Sequence, residues 1–491
     1  MSMDALIREC AIRAGVISLG GGLPAPELFP RARLTDAFAD ALGDPKCAAL
    51  QYDWPEGQVF LRDWVARRLQ HRGACVDSSD VIITAGAQQG IALASHFLLP
   101  LGARVRVSAA SYPAALEHFR RREAHLVGDE DAADCVYFMD GIENPRGSVP
   151  APAARARLVQ EDVALIVDEA YADLNFDGFT LPPLMADAPD RVWHVGSLSK
   201  TLSPGLRIGW LIPPRHMVER AVHLKFATDL QSSTLSQIVV ERYLAAEDFE
   251  QRLVHIRDFY QRRATVLSTA MRRVLPDWRF EDPAGGFALF AETEYRADHP
   301  NDDEEWLRTG MHHGVAFDPG SLFTPRPDPH SLAMRLCFSA TEESELVEAV
   351  RRLGHAWRAF RSKRKTAPDA VGSSLHTSLI PAEPATAFLV PPTPKQTSPP
   401  ANQPAIDRGF RKEDAMSDNR DQVLNDAARP APPTFLVVIN AEEQYSIWNA
   451  RRAIPIGWTP TGYAGTESAC LEHIGTVWTD LRPLSLRAKA L

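Results

Sequence analysis

The stretch GSLSKTLSPGLRIGW, Gly196 to Trp210, decides how this chain is read. It sets one lysine, Lys200, among small hydroxyl residues, with Arg207 seven positions on and an apolar run on either side. A solvated surface lysine, the plainest reading of a lysine in a Ser/Thr loop, needs none of that setting. The run VWHVG ahead of it reads as a short buried strand, and RIGWLIPP behind it as another, stopped by two prolines. Lys200 then falls on a polar loop at strand ends, where α/β folds build their sites.

Working outward, the 491 residues carry a formal net charge of −10, and no Lys/Arg-rich run exceeds RSKRK at Arg361 to Lys365. That balance argues against a nucleic-acid partner. The six cysteines are scattered singly without a CxxC pair, which suits reduced thiols and excludes a disulfide framework or a zinc site, so no metal is expected. The opening MSMDALIRECAIRAG carries charges where a signal peptide needs an apolar stretch, and no run approaches transmembrane length. The expectation is a soluble, cytoplasmic protein with no membrane partner.

From residue 1 to about 360, apolar strand-like runs alternate with helical periods. VIITAG at Val81 precedes the helically spaced AQQGIALASHFLL, ALIVDEA at Ala164 reads as a buried strand ending in acids, and the run from Arg252 reads as a long amphipathic helix. Such alternation implies an α/β domain with a mostly parallel sheet. Between Thr366 and Pro433 lie twelve prolines among Ser, Thr, Ala and Gln, a composition that cannot bury enough surface to fold. The expected organisation is a domain over 1–360, a disordered proline-rich linker over 361–433, and a small domain over 434–491 that holds three of the ten tryptophans.

A lysine becomes a Schiff-base nucleophile when its pKa is lowered and a carbonyl cofactor is held beside it. Pyridoxal phosphate makes further demands: amides, hydroxyls and a guanidinium for its phosphate, a carboxylate for its ring nitrogen, donors for its phenolic oxygen and an aromatic for its ring face. Gly86-Ala87-Gln88, between a strand and a helix, offers amides at a helix N-terminus. Ser197, Ser199 and Arg207 bracket Lys200, Asp168 ends ALIVD with Tyr171 three residues later, Asn144 sits in ENPRG and Tyr112 in SYP. Taken singly, each has a plainer reading. Asp168 could be an N-cap, Arg207 a common ion-pair partner, Arg335 a core-edge arginine paired with an acid, and Tyr52 and Tyr112 packing residues.

Together, in order, ISLGGGLPAPELFP, LQYDWPEGQVFLRDW, ITAGAQQG, SYP, ENPRG, VDEAY, SLSKTLSPGLRIGW, PAGGFALF, GVAFDPGSLF and MRLCFS span residues 17 to about 340. The chain thereby resembles the class I/II aminotransferases of fold type I, in the branch that holds 2-aminoadipate aminotransferases and the catalytic domains of MocR-type regulators. The resemblance implies a large domain with a mostly parallel seven-stranded sheet, a smaller α+β domain, a homodimer, and pyridoxal 5'-phosphate as cofactor. It implies that Lys200 carries the cofactor and then moves protons, that Asp168 meets the ring nitrogen, that Tyr171 and Asn144 reach the phenolic oxygen, and that Tyr112 stacks on the ring. Ala87, Gln88, Ser197, Ser199 and Arg207 would hold the phosphate, with Tyr52 reaching in from the partner subunit. Arg335 would grip the substrate α-carboxylate, and Gly21 and Gly22 would belong to a segment that closes over the substrate. The chain departs from the family pattern at Ala87, where a serine is common, at Arg146 in the NPTG-type turn, and at Cys337. With no DNA-binding segment ahead of residue 1, an enzyme is expected rather than a regulator.

The tail has its own signature in NAEEQYSIW, IPIGW and VWTDLRPLSL. It resembles the MbtH-like proteins, partners of the adenylation domains of nonribosomal peptide synthetases, with Asn449 in place of the usual proline. Three alternating strands and a helix, ESACLEHIGTVW, suit a small α+β domain with a three-stranded antiparallel sheet. The resemblance implies that Trp448 and Trp458 form a surface cleft for the adenylation domain, with Ser446 and Ile447 lining the contact; filling a tiny core is the plainer reading. Met416 looks like the former start of a separate gene. The expectation is an aminotransferase acting on an amino acid and a 2-oxo acid, fused to an adenylation-domain activator for nonribosomal peptide biosynthesis, a form of secondary metabolism to which antibiotics belong. Two alternatives stay open: elimination, cyclisation or decarboxylation with the same cofactor, or a catalytically idle adaptor.

Overall fold

The protein was analysed as a computed structural model that describes residues 15–296, 302–326, 331–365, 435–450, 454–455 and 457–479. The expected disordered linker from 366 to 433, Met416 within it, and the end of VWTDLRPLSL lie outside the described residues. The chain divides into two units, Met1–Thr377 and Ser378–Leu491.

Short apolar runs build the centre of the first unit. They form a seven-stranded sheet of β1 (Ile82–Thr84), β2 (Arg104–Arg106), β3 (His125–Val127), β4 (Cys135–Met139), β5 (Ala164–Asp168), β6 (Val192–Ser197) and β7 (Gly209–Ile212). The spatial order is β1-β7-β6-β5-β4-β2-β3. Strands β2 to β6 pair in parallel, whereas β7 runs antiparallel between β1 and β6. Side chains alternate across a sheet, and the alternation feeds two cores. Leu165 and Val167 of β5 join Ile83 and Ile212 on one face, while Ile166 joins Ile82, Val195 and Leu211 on the other. Helix α1 (Ala87–Leu98) covers the second core through Ile91, Leu93 and Ala94.

Helix α2 (Pro113–Arg121) and strands β3 and β4 occupy the stretch that the sequence marks as shortened. The amphipathic run expected from Arg252 begins at Phe249, because the Asp248 carboxylate accepts hydrogen bonds from the Glu250 and Gln251 amides and caps α3 (Phe249–Val274). The smaller domain adds β8 (Trp278–Arg279), β9 (Ala288–Arg296), β10 (Asp318–Pro319) and β11 (Ser331–Cys337) in an antiparallel sheet of order β10-β11-β9-β8. Its core holds Trp278, Trp306 and Trp357, the first two stacked at 5.8 Å. Helix α4 (Glu343–Lys365) runs past the boundary expected at residue 360, since no proline interrupts the sequence before Pro368. Among the described residues no helix is long and apolar enough to cross a membrane.

The second unit is a three-stranded antiparallel sheet of β12 (Phe435–Asn440), β13 (Tyr445–Asn449) and β14 (Trp458–Gly465), with β12 central, joined by α5 (Glu467–Val477). Thr466 caps α5 by accepting from the Ala469 amide at 3.3 Å.

The tightest passage in the large sheet lies where β7 starts. A Cβ on Gly209 would stand 2.7 Å from the Gly86 carbonyl carbon and 2.8 Å from the Gly196 oxygen, both backbone. Gly209→Ala is therefore expected to cost about 1–3 kcal/mol, visible as a lower melting temperature in a thermal scan. An unchanged transition would mean that this close approach does not constrain the fold.

Candidate active site

The sheet delivers its polar groups to one edge. Asp168 ends β5, Ser197 ends β6, and Gly86 turns from β1 into α1 with φ 87°, a left-handed conformation suited to glycine. Around these ends lies a cavity of about 160 Å³. Ala87, Gln88, Ser197, Ser199 and Arg207 line one side of it, and Tyr112, Asn144, Asp168, Tyr171 and Lys200 the other. The sequence scattered these ten expected residues over more than a hundred positions; the fold brings them together.

The polar side is a cup. Arg207 takes a left-handed backbone (φ 55°, ψ 47°) and donates from Nη2 to the Ala85 carbonyl at 2.6 Å. A Cβ on Gly86 would fall 2.6 Å from that Nη2, so glycine leaves room for the guanidinium. The Ser197 hydroxyl donates to the Ile208 carbonyl at 3.0 Å and accepts from the Ser199 amide at 3.0 Å. Gln88 Oε1 is buried without a hydrogen-bond partner.

Asp168 is 7 % exposed and burial raises its carboxyl pKa. The Tyr137 hydroxyl donating at 2.7 Å, the Ala170 amide donating at 3.0 Å and the charge of Lys200 oppose that rise. Burial, with the Asp168 charge, pushes Tyr112 up to about 12, so it stays a neutral phenol. Lys200 Nζ donates to the Gly22 carbonyl at 3.2 Å and lies 5.1 Å from the Tyr171 ring centre and 5.4 Å from that of Phe287.

Arg335 does not line this cavity. It lines a small adjoining recess with Gly22, Glu143, Asn144 and Tyr171. Its pairing with an acid, the plainer reading of the sequence, is present: Nε and Nη2 donate to Asp318 Oδ2 at 3.0 and 2.7 Å. Nη1 donates to Asn144 Oδ1 at 2.9 Å. The Gly21 amide donates to the same Asp318 oxygen at 2.9 Å. Tyr52 is 75 % exposed and lines neither space. Sequence reading missed Tyr137 and Asp318. Tyr137 pairs with Ile166, which puts it diagonal to Asp168 on one face of the sheet, and Asp318 pairs with Arg335 across β10 and β11.

The donor set fits pyridoxal phosphate. Helix N-terminal amides, two hydroxyls, a guanidinium and an orphaned amide oxygen stand on one side of a buried carboxylate, with a lysine and two phenols beside it. Among the described residues no His, Cys, Asp and Glu group could hold a metal ion, and the five described cysteines are free.

In the second unit, Trp448 pairs with Leu436, Ser446 with Val438 and Trp458 with Asn440, which sets all three on one face of the sheet. Ile447 pairs with Val437 on the opposite face, with Tyr445, whose ring lies 6.0 Å from that of Trp478 just beyond α5. Ser446, Trp448 and Trp458 are half-buried.

Residues 427–490 match the family model of MbtH-like proteins, and residues 32–353 match that of aminotransferase class I and II. The chain is 32 % identical over 374 residues to the 2-aminoadipate transaminase of Thermus thermophilus, covering 71 % of this chain and 91 % of that protein. It superposes on the α-aminoadipate aminotransferase of the same species, solved with N-(5'-phosphopyridoxyl)-L-leucine, at TM-score 0.65 and 30 % identity, over 73 % of this chain and 95 % of that one. It also superposes on the Pyrococcus horikoshii kynurenine aminotransferase at TM-score 0.67 and 26 % identity, over 74 % and 95 % of the two chains. A lysine, a buried aspartate and an arginine cup at one sheet edge, within a chain matched over that whole span, place it plainly: the chain belongs to the class I and II aminotransferases and is a pyridoxal-phosphate-dependent transaminase.

Proposed function

We propose that the first unit transaminates an amino acid destined for nonribosomal peptide assembly, and that the second unit binds the adenylation domain of a peptide synthetase. The observation that carries this reading is the presence, on one chain, of the Lys200 site and an MbtH-like segment. Tethering the two raises the effective concentration of one function near the other.

When bound, pyridoxal phosphate supplies an electron-withdrawing ring through which an amino group passes from an amino acid to a 2-oxo acid. The Gly86–Gln88 amides, Ser197, Ser199 and Arg207 hold its phosphate, and the Asp168 carboxylate holds a proton on its ring nitrogen. Tyr112 covers the ring, while the Tyr171 hydroxyl and the Asn144 amide donate to its phenolic oxygen. Lys200 Nζ, freed from the Gly22 carbonyl, takes the proton from the substrate Cα. Arg335 receives the α-carboxylate on the donors that Asp318 and Asn144 leave.

A pair of such chains is the assembly we favour. Leu50, Tyr52 and Trp54 are 81, 75 and 77 % exposed in the single chain, with Phe226 at 54 %, more apolar surface than a monomer ordinarily leaves bare. This exposed run is also the one from which Tyr52 would reach the partner subunit's site.

Three outcomes are expected. Lys200→Ala should abolish the visible cofactor band and turnover while leaving the circular dichroism spectrum intact; full transaminase rate in this variant sinks the assignment. Light scattering should give a dimer that Trp54→Arg shifts toward monomer, and a cofactor-loaded, active wild-type monomer would refute the paired site. Trp448→Ala and Trp458→Ala should each weaken binding of an adenylation domain by about 2 kcal/mol, roughly thirtyfold, without slowing transamination. Co-purification measures this, and undiminished capture by both variants would remove that face from the contact.

A further inference from the structure

The two spaces at the site hold few spare cations. The basic side chains that line the cavity and its adjoining recess are Lys200, Arg207 and Arg335. Arg207 belongs to the phosphate cup and Lys200 to the cofactor carbonyl, so Arg335 alone faces the substrate's acids.

Arg335 is not a free charge. Asp318, 4 % exposed, takes its Nε and Nη2 on one carboxylate oxygen, and that oxygen also accepts from the Gly21 amide. The seat is made for the acid: a Cβ on Gly20 would come within 2.9 Å of Asp318 Oδ1. Glu143, held by the Ser148 hydroxyl at 2.8 Å, lines the same recess as Arg335. A guanidinium with a buried carboxylate on one edge and a second carboxylate nearby is a neutral pair before any substrate arrives. The substrate α-carboxylate then adds a negative charge to that pair instead of neutralising a cation, and a second substrate carboxylate meets no cation at all.

We infer that Asp318 is a specificity-determining residue: by neutralising Arg335 from behind, it turns the site against dicarboxylic amino acids and toward those with neutral or cationic side chains. The effect is negative design in the physical sense, an unfavourable charge placed against one class of ligand. The inference deepens the proposed function by naming a substrate class, and it rests on Arg335 as the α-carboxylate partner.

The experiment uses the full chain loaded with pyridoxal phosphate. Bleaching of its visible band by L-leucine, L-ornithine and L-2-aminoadipate gives kcat and KM for the amino-donor half-reaction. Titration with two non-reacting acids, 4-methylvalerate and glutarate, gives dissociation constants from the shift of the same band. Wild type should favour leucine and ornithine over 2-aminoadipate by about tenfold or more in kcat/KM, and 4-methylvalerate over glutarate in binding. Asp318→Asn, close in shape, should lower KM for leucine by about tenfold and for 2-aminoadipate by more, narrowing the preference with little change in kcat. The glutarate dissociation constant should fall with it.

A rise in KM for all three amino acids would mean that Asp318 only orients Arg335, and would overturn the inference. So would wild-type preference for 2-aminoadipate or glutarate, a result that needs no variant to fold. An unchanged leucine KM in Arg335→Gln would instead overturn the assignment of Arg335 itself, and this inference with it.

Discussion

A carboxylate buried where β5 ends is the constraint around which the first unit is arranged. Taking an anion out of water is costly unless hydrogen bonds and opposite charge replace the solvent. Asp168 has both, from Tyr137, the Ala170 amide and Lys200. The neighbouring strand ends repeat the solution: Arg72 donates to Glu169 at 2.6 Å, and Arg155 pairs with Asp140. Three buried acids on adjacent strand ends thus lean on cations delivered by other segments. Removing one partner from such a pair leaves an uncompensated charge worth about 3–5 kcal/mol. The edge of the sheet is for that reason a stiff platform, and the cavity above it inherits the stiffness.

Much of this was legible in the sequence because the decisive signals are local. A lysine inside a Ser/Thr loop between two apolar runs, an acid at the end of ALIVD, and a Gly-Ala-Gln turn opening a helix each announce their place within a few residues. What stayed hidden depends on strand register. Asp318 sits in GVAFDPGSLF as an isolated acid, and only the antiparallel pairing of β10 with β11 sets it opposite Arg335. Tyr137 looks like one more apolar residue in CVYFM until the parallel register of β4 and β5 sets its hydroxyl beside Asp168. Helix α4 outran its expected end because charge-rich RSKRK was read as a boundary, though nothing in it breaks a helix.

The second unit shows the same division. Its three strands and helix follow from alternation, and the tryptophans from their motif. The facing of Ile447 does not: in a two-residue period it must oppose Ser446 and Trp448, and pairing with Val437 puts it on the side that carries Tyr445. Val438, 1 % exposed, is buried on the face that carries the two indoles. Those indoles cover part of the small sheet and keep a solvent-facing edge, so core filling and surface recognition are not exclusive roles here.

Arg207 carries a further consequence. A left-handed backbone at a non-glycine residue costs on the order of 1 kcal/mol, and the residue pinned there supplies the guanidinium of the cup. Glycine would relax the chain and empty the cup. At this position thermal robustness and cofactor retention therefore pull in opposite directions, and any effort to harden the protein by easing its backbone would be working against its chemistry.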